Sequence, residues 1–289
     1  MTIAITLATG QLGRLVVQSL KTRAPHEDIV ALVRSPEKAG DLGVAVREAD
    51  YDRPETLERA LADVDTLLLI SGPVPGVRVA QHRNGIAAAK RAGVKRIVYT
   101  SAIHAEVSPL DIAADHRAAE ADLRAAGVAH TIVRNGWYTE NYASAISGAL
   151  TSGVVLGSAG DARISSATRA DYAEGIAAVL ADAAHAGEVY ELAGDDAWTM
   201  SELAAEIARQ SGRTVAYRDL PPAKYASILT GFGIPAGVAK AIAGWDVAAA
   251  QGALFDDSRT LSRLIGRPTT PLSETVAEVI ASQAVPQQA

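Results

Sequence analysis

The sequence predicts an α/β protein in which a doubly wound parallel sheet is followed by a smaller mixed α/β C-terminal lobe. Between residues 1 and 135, short runs rich in β-branched residues alternate with stretches that carry apolar residues at helical spacing. Several runs, among them "DIVALV" and "TLLLI", are apolar throughout, as parallel strands are when helices cover both of their faces. After Asn135 the alternation stops, which indicates a second structural unit.

The elements of the first part follow one another as a doubly wound sheet requires. Six strands are predicted, at "TIAIT", "DIVALV", "VAVREAD", "DTLLLI", "KRIVYTS" and "HTIVRN". Helices are predicted among them, at "QLGRLVVQSLKTR", "PETLERALADV", "VAQHRNGIAAAKRAGV" and "DHRAAEADLRAAGV". Pro54 suits the first turn of its helix, and Gly93 and Gly127 suit the residue that follows a helix.

Residues 1–150 are expected to form the main domain, completed by a strand near 188–192, and residues 151–289 the smaller lobe. The stretch "RISSATRADYAEGIAAVLADA" predicts a short strand and a helix, "EVYEL" a strand that can return to the main sheet, and "TVAYRDL" another strand. Further helices are predicted at "WTMSELAAEIARQSG", with a Thr199 or Ser201 cap, and at "PPAKYASILTGFG", "AGVAKAIAGWDVAAAQG" and "TPLSETVAEVIASQ".

The composition argues against several classes of protein. A net charge of −6 and a pI near 5.6 disfavour a nucleic-acid or anionic-membrane binder. The chain has no cysteine, which excludes disulfides and cysteine-ligated metals and fits a cytoplasmic location. Its apolar runs are far shorter than the roughly 18 residues of a membrane span. The six histidines show no metal-ligand spacing, and a homodimer is one expectation because soluble enzymes are commonly dimeric.

A glycine pair at the first strand–helix junction predicts a dinucleotide site. Gly10 and Gly13 lie in "ATGQLG", between the first strand and a helix that opens near Gln11. Glycine there permits a tight turn and lets the backbone approach a pyrophosphate, whose charge the helix N-terminus favours. We therefore expect the amide groups of this loop to bind a dinucleotide cofactor in a Rossmann-type fold.

Arg34, at the end of the second strand, bears on which dinucleotide is bound. It comes 21 positions after Gly13, where an acidic residue usually binds the ribose hydroxyls of NAD. An arginine suits the 2′-phosphate of NADP instead, because a guanidinium group pairs well with phosphate. NADP is therefore preferred over NAD. The alternative for Arg34 is an ordinary solvated arginine at the end of a strand, without a role in cofactor binding.

Leu7 stands where such a loop usually has its first glycine. If the backbone there has positive φ, a leucine costs about 1 kcal/mol or more, and its side chain crowds the adenosine or the pyrophosphate. Otherwise the strand runs one residue further and Leu7 points into the core.

Motifs along almost the whole chain resemble those of one family. They include "VALVRSPEKA", "QHRNGIAAAKRAGVKRIVYTS", "RNGWYTENY", "SATRADYA" and "LFDDSRTLSRLIGRPTTPL". These are similar to the type-2 NAD(P)H:quinone oxidoreductases, which are NmrA-like, atypical short-chain dehydrogenases/reductases close to triphenylmethane reductase. The resemblance implies a Rossmann domain that binds NADPH, a small C-terminal lobe, and hydride transfer to quinones in the cleft between them. The family has a glycine where this chain has Leu7.

The resemblance also implies which residues contact the cofactor. They are Leu7, Thr9, Gly10, Gln11, Leu12 and Gly13 in the loop, Arg34 at the 2′-phosphate, Ser71 and Gly72 by the ribose, Asn135, Gly136, Trp137 and Tyr138 by the nicotinamide, and Arg169 from the second lobe.

The candidate catalytic residues are Tyr138, His104 and Asn135, which would orient the acceptor or supply a proton. Tyr138 and His104 follow the sixth and fifth strands, where doubly wound sheets bind ligands, although each could equally be an ordinary structural or solvated side chain. Short-chain dehydrogenases usually carry a Tyr-x-x-x-Lys pair on the helix after the fifth strand, but this helix offers His116 and Glu120. These two share a helix face, and they form either a solvated pair or a pair that binds and positions a ligand.

The absence of that acid pair favours quinones or similarly electrophilic acceptors. A quinone accepts hydride readily, so the protein needs mainly to supply proximity and orientation. Two alternatives stay open. One is an NmrA-like redox sensor that binds NADP without turning it over, and the other is a reductase of another carbonyl, alkene or dye substrate on the same scaffold.

Overall fold

The structure, a computed structural model, describes residues 1–74 and 76–284. Its strands are β1 Thr2–Thr6, β2 Asp28–Val33, β3 Ala45–Glu48, β4 Thr66–Leu69, β5 Arg96–Ala102, β6 Ala129–Asn135, β7 Val154–Gly157, β8 Val189–Leu192 and β9 Ala216–Asp219. Its α-helices are α1 Gln11–Arg23, α2 Pro54–Ala60, α3 Arg78–Arg91, α4 Ala113–Ala126, α5 Ala143–Ser152, α6 Arg169–Ala181, α7 Met200–Ser211, α8 Pro222–Gly231, α9 Ala236–Ala250, α10 Thr260–Ile265 and α11 Leu272–Ala284.

Seven parallel strands form the main sheet, in the order β3-β2-β1-β4-β5-β6-β8. Successive residues of β1 point to opposite faces, with Ile3 and Ile5 in one apolar core and Ala4 in the other. Helices α1, α6 and α10 cover the first face, and α2, α3 and α4 cover the second. The predicted doubly wound parallel sheet is confirmed.

The strand register brings the carboxyl ends of the strands to one edge of the sheet. β1 and β2 end level, with Thr6 beside Leu32, and β5 and β6 end level, with Ala102 beside Asn135. Doubly wound sheets bind ligands at this edge, where the strand order reverses between β1 and β4. The residues that follow β1, β2, β4 and β6 therefore lie around one crevice.

A separate apolar core holds the smaller lobe together. It draws on α5, α7, α9 and α11, and within it Tyr142 and Trp198 meet edge to face with ring centroids 4.8 Å apart. β7 and β9 form a two-stranded parallel sheet beside this core. Helix α7 begins at a Thr199 cap, whose hydroxyl accepts the Glu202 N–H while the Glu202 carboxylate accepts the Thr199 N–H.

The chain returns to the main sheet between two stretches of the smaller lobe. Helix α6 packs against α1, and β8, which lies where a returning strand was expected, pairs with β6. Helix α10 packs on the same face as α6. A division at residue 150 stays a prediction, and residues 285–289 of the predicted lobe lie outside the described chain.

Two local features differ from expectation. The short strand predicted in "RISSATRADYAEGIAAVLADA" is wrong, because that stretch forms only isolated bridges, Ile164 to Trp198 and Ala167 to Tyr138. The segment crosses between the two units and takes backbone partners from each in turn, so no ladder builds up. β7 and α10 are additional elements of 4 and 6 residues, which are too short for periodicity to reveal, and helix α5, of 10 residues, was also not predicted.

Candidate active site

Three cavities adjoin one another along the carboxyl edge of the main sheet. The arginine cavity, about 320 Å³, contains Arg34 and Lys38. The central cavity, about 410 Å³, lies between the glycine loop and the residues after β4, β5 and β6. The lobe cavity, about 830 Å³, lies under the smaller lobe. Leu7 lines the first two cavities and Trp137 lines the last two, so the three form one cleft.

The loop between β1 and α1 has the tight turn that its glycines predict. The Gly10 N–H donates to the Leu7 carbonyl oxygen at 2.8 Å. A Cβ atom on Gly13 would lie 2.3 Å from that same oxygen, so a side chain does not fit where α1 packs on the loop. Because Gly10 uses its N–H within the turn, the expectation that this amide faces a pyrophosphate is wrong. The donors at the helix N-terminus are the amides of Gln11, Leu12 and Gly13, which line the central cavity.

Leu7 adopts the left-handed backbone conformation at the start of this loop. Its φ is +50°, and β1 ends one residue earlier, at Thr6. The expectation that the strand runs on through Leu7 is therefore wrong, although the Leu7 side chain does pack against both apolar cores. Its side chain is half-buried and lines both the arginine cavity and the central cavity. Leu7 thus combines a backbone cost of about 1 kcal/mol with a side chain that narrows the junction between two cavities.

The arginine cavity has the character of an anion site. Arg34 follows β2 with its side chain exposed, and it forms no ion pair within the described chain, whereas nearby Arg14 is paired with Asp41. Lys38 lines the same cavity, and Ser35 adds a hydroxyl group. Two cations and a hydroxyl at the end of β2 suit a phosphate on the adenosine ribose.

The segment after β6 brings the residues expected near the nicotinamide together. Asn135, Gly136, Trp137 and Tyr138 line the central cavity, as Arg169 does from the start of α6. The Asn135 Oδ1 atom is buried without a hydrogen-bond partner among the described residues, while its Nδ2 lies 3.5 Å from the Tyr138 hydroxyl. A buried amide oxygen without a partner is costly, so this atom fits a ligand that brings an N–H group, as a nicotinamide carboxamide does.

Tyr138 is held by aromatic and cationic neighbours. Its ring meets Tyr172 edge to face, with centroids 5.3 Å apart, and Arg169 lies over its face. Burial raises the pKa of the Tyr138 hydroxyl, and the hydrogen bond with Asn135 and the charge of Arg169 act in the opposite direction. With its pKa raised, Tyr138 is better suited to orient a ligand than to donate a proton at neutral pH.

His104 lies outside the three cavities. Its φ is +52°, and its backbone N–H donates to the Glu191 Oε2 atom at 2.9 Å. Its ring Nε2 lies 3.0 Å from the Phe255 carbonyl oxygen. Because the chain turns sharply after Ile103, the ring packs in the seam between the main sheet and the lobe. The predicted contact of His104 with a substrate is therefore not supported by this geometry.

The predicted solvated pair of His116 and Glu120 is wrong, because both side chains are buried. Glu120 accepts a hydrogen bond from Arg134 at 2.7 Å, which ties α4 to β6. His116 instead bonds to Tyr99 on β5 and lines the central cavity. Tyr99 and its second partner, His82, were missed from the sequence, because a tyrosine within an apolar strand resembles an ordinary core residue.

The lobe cavity is lined mainly by aromatic and apolar side chains. Trp137 and Trp245 meet edge to face, with ring centroids 5.5 Å apart, and Tyr225 adds a third ring. The Asp246 Oδ2 atom accepts a hydrogen bond from the Ser158 N–H at 2.7 Å. Burial raises the pKa of Asp246 to about 6. Such a cavity suits a flat, largely apolar molecule.

Residues 1–74 and 76–284 contain no set of three histidine or carboxylate side chains placed to hold a metal ion. Within the same ranges, no helix has the length and apolar character needed to cross a membrane. The cleft, by contrast, has the features of a dinucleotide site in the required order. These are the anion site at Arg34, the glycine turn, and the unpartnered amide oxygen of Asn135.

Comparison with known proteins agrees with this geometry. Residues 8–183 match the family model described as NAD(P)H-binding. Quinone oxidoreductase 2 of Escherichia coli (strain K12) is 52% identical over 280 residues, which cover 96% of this chain and 98% of that protein. A crystal structure of the NADPH-dependent quinone oxidoreductase of Escherichia coli, complexed with NADPH, superposes with a TM-score of 0.94 at 52% identity over 96% of this chain and 99% of that one.

A third match lies in another activity class. The structure of Citrobacter sp. triphenylmethane reductase superposes with a TM-score of 0.93 at 36% identity, covering 97% of this chain and all of the other (100%). The matches thus extend over the lobe as well as the main sheet, and they confirm the resemblance that the motifs indicated. The chain belongs to the NAD(P)H-binding family.

Proposed function

We propose that this chain is an NADPH-dependent oxidoreductase that delivers hydride to quinones without a flavin. The observation that carries the proposal is the continuity of the cleft, which joins an anion site at Arg34 to an aromatic cavity under the lobe. A dinucleotide that follows the first two cavities ends beside Trp137 and Tyr138, where the lobe cavity opens. The similarity to the Escherichia coli proteins, a quinone oxidoreductase and an NADPH-dependent quinone oxidoreductase, supports the same assignment.

The cofactor would be held by the residues expected from the motifs. Arg34, with Lys38 and Ser35 beside it, would bind the 2′-phosphate. Gly72 would allow the cofactor to approach the backbone closely, but it would not donate a hydrogen bond to the cofactor, because its N–H donates to His82. The remaining proposed contacts are Leu7, Thr9, Gly10, Gln11, Leu12, Gly13, Ser71, Asn135, Gly136, Trp137, Tyr138 and Arg169.

NADPH, when bound, supplies the hydride. The protein orients the reacting groups, with Asn135 and Tyr138 at the ring end of the central cavity and Trp137 against a flat acceptor. The aromatic side chains that line the lobe cavity exclude water from the acceptor. Since a quinone needs little acid assistance to accept hydride, the raised pKa of Tyr138 is compatible with this reaction.

A second acceptor class is favoured by the charges around the lobe cavity. Asp111, Asp115 and Asp246 line it, and the arginine in its wall, Arg78, is paired with Asp115 at 3.0 Å. Excess negative charge attracts a cationic conjugated electrophile. The similarity to a triphenylmethane reductase supports this class of acceptor as an alternative to a quinone.

Three further expectations about partners and location belong to the proposal. A cytoplasmic location fits the absence of cysteine, and a net charge of −6 disfavours nucleic acid as a partner. A homodimer is the proposed assembly, on the general frequency of dimers among soluble enzymes. Sedimentation of the full chain with NADPH would decide the assembly state.

The proposal is tested by following nicotinamide absorbance when a simple benzoquinone is added to the protein with NADPH or with NADH. We expect quinone-dependent loss of NADPH, with NADH oxidised more slowly. A cationic dye, added in place of the quinone, measures the second acceptor class. Tight NADPH binding without turnover, by both the unmodified protein and its Leu7→Gly variant, would instead identify a redox sensor.

A further inference from the structure

A chain of buried hydrogen bonds leads from the residues after β4 to the central cavity. The Gly72 N–H donates to His82 Nε2 at 3.0 Å. The other ring nitrogen, Nδ1, lies 3.1 Å from the Tyr99 hydroxyl, and that hydroxyl lies 2.7 Å from His116 Nδ1. His82, Tyr99 and His116 are all at least 96% buried, their exposed fractions being 0%, 0% and 4%. Three elements, α3, β5 and α4, contribute one member each.

The direction of donation along this chain is fixed at its first member. A backbone N–H can only donate, so His82 Nε2 accepts, and a neutral His82 must carry its proton on Nδ1. His82 Nδ1 then donates to the Tyr99 oxygen, and the Tyr99 O–H is left to donate to His116 Nδ1. A neutral His116 therefore carries its proton on Nε2.

Both imidazoles are neutral at physiological pH. Burial lowers the pKa of His116 to about 3 and that of His82 to about 4, and the charge of Arg78 lowers both further. The titratable and charged groups that face His116 are Arg78 and His82 on α3, Tyr99 on β5 and Glu120 on α4. The Glu120 carboxylate is taken up by Arg134 and the Arg78 guanidinium by Asp115, so neither is available to protonate or deprotonate the ring.

The last member of this hydrogen-bond chain, His116, faces the cleft. His116 lines the central cavity, and among the described residues its ring bonds to Tyr99 through Nδ1 while Nε2 has no hydrogen-bond partner. Ile112, one turn earlier on the chain, and Arg78 line both the central and the lobe cavity. His116 therefore lies where the ring end of a dinucleotide and an acceptor under the lobe would meet.

We propose that His116 is a catalytic residue that donates a hydrogen bond from Nε2–H to the acceptor oxygen on which negative charge develops during hydride transfer. This inference rests on the proposed function. A pre-oriented neutral donor stabilises such charge without a change in its own protonation. Tyr99 and His82 are positioning residues, because they act by holding His116 in the tautomer that presents this N–H.

His116 acts as a donor and not as an acid. If it gave up its Nε2 proton, the protons of Tyr99 and His82 could each shift by one position. The series of proton shifts would then end at the Gly72 amide, which has no proton to supply. A negative charge would remain in the core without a compensating proton. The reduced acceptor oxygen therefore takes its proton from water as product leaves, and the hydride is the only species transferred within the cleft.

The first experiment separates the N–H donor from the bulk of the side chain. In His116→Leu we expect kcat with a quinone to fall about 100-fold. His116→Gln retains an N–H donor, so its kcat should be about tenfold higher than that of His116→Leu. The Kd for NADPH, measured by fluorescence titration, should be unchanged in both variants. The kcat of the unmodified protein should show no histidine titration between about pH 5 and 8, since neutral His116 is the active form.

The second experiment observes the tautomers directly. Nitrogen-15 NMR of histidine-labelled protein with NADPH bound should show His116 protonated on Nε2 and His82 protonated on Nδ1. Tyr99→Phe should allow both tautomers of His116 and lower kcat about tenfold. Tyr190→Phe is the matched control, because its hydroxyl also lies 2.7 Å from a histidine Nδ1, that of His185, but outside the cleft.

Specific outcomes would overturn the inference. His116 protonated on Nδ1, a fully active His116→Leu variant, or an NADPH Kd that rises as much as kcat falls would each exclude donation to the acceptor. A failure of the proposed function looks different, because the unmodified protein would then bind NADPH and reduce no quinone at all.

Discussion

The guanidinium group of Arg169 lies over the ring of Tyr138, with its central carbon 4.4 Å from the ring centroid. The same side chain donates to the Asn141 Oδ1 atom at 3.0 Å and pairs with Glu140. The start of α6 thereby holds the segment that follows β6, at the ring end of the cleft. The orientation of Tyr138 therefore depends on a residue from a distant part of the chain.

We expect Arg169→Gln to raise both the Kd for NADPH and the KM for a quinone several-fold, because Tyr138 loses the cation that orients it. The free energy of unfolding should fall by only about 1 kcal/mol, as is usual for a cation–π contact of this kind. Fluorescence titration, steady-state kinetics and urea denaturation measure the three quantities. Arg209→Gln, an exposed arginine on α7, is the control. Equal effects in the two variants would contradict this role.

Replacement of Leu7 by glycine should tighten NADPH binding about tenfold, because it removes the side chain at the junction of two cavities. It also relieves the positive-φ cost of about 1 kcal/mol, which offsets the loss of packing. Leu7→Ala separates the two effects, since alanine removes most of the side chain but keeps the strained backbone. Fluorescence titration gives the affinities and thermal unfolding the stabilities. Unchanged affinity in both variants would show that Leu7 does not obstruct the cofactor.

Arg34→Ala should weaken NADPH binding by about tenfold to 100-fold, since a hydrogen-bonded charge pair with phosphate contributes about 1.5–3 kcal/mol. The Kd for NADH, which lacks the 2′-phosphate, should stay the same. Arg23→Ala, at the exposed end of α1, is the matched control for the loss of one positive charge. If both cofactors lose affinity equally, Arg34 does not recognise the 2′-phosphate.

Asp246 should make the free energy of unfolding depend on pH. Its pKa is raised by burial to about 6 from an ordinary value of 3.8, so the folded state holds this proton more tightly than the unfolded state. The stabilisation is fully present below about pH 4, decreases as the pH rises through 6, and amounts to about 3 kcal/mol at most.

The Asp246→Asn variant removes this dependence and retains an oxygen that accepts the Ser158 N–H. Urea denaturation at about pH 4.5 and pH 7.5, compared between the two proteins, isolates the contribution of Asp246. We expect the unmodified protein to lose more stability than the variant on going to the higher pH. An equal loss in both would show that Asp246 titrates normally.

The binding site could be foreseen where its residues follow the ends of strands. Arg34 comes directly after a predicted strand. Gly10 lies in the loop after the first strand and Gly13 in the first turn of the helix that follows, and a parallel sheet brings those strand ends to one edge. The same reasoning did not hold for His104, which follows β5 but turns into the seam beside Phe255. Side-chain direction after a strand depends on the local backbone. Histidine adopts positive φ more often than most residue types, but residue type alone does not show that His104 does so.

The sequence by itself determined the doubly wound sheet and the dinucleotide end of the cleft, because alternating periodicity and glycine turns are local properties. Only the tertiary structure decided that Leu7 has positive φ, that His116 is buried, and that Tyr99 and His82 stand behind it. The contacts of His116 with Tyr99 and of Tyr99 with His82 join α3, β5 and α4, so they arise from packing across the sheet rather than from neighbours in the chain. Burial then settles the protonation of His82 and His116, which no sequence pattern specifies.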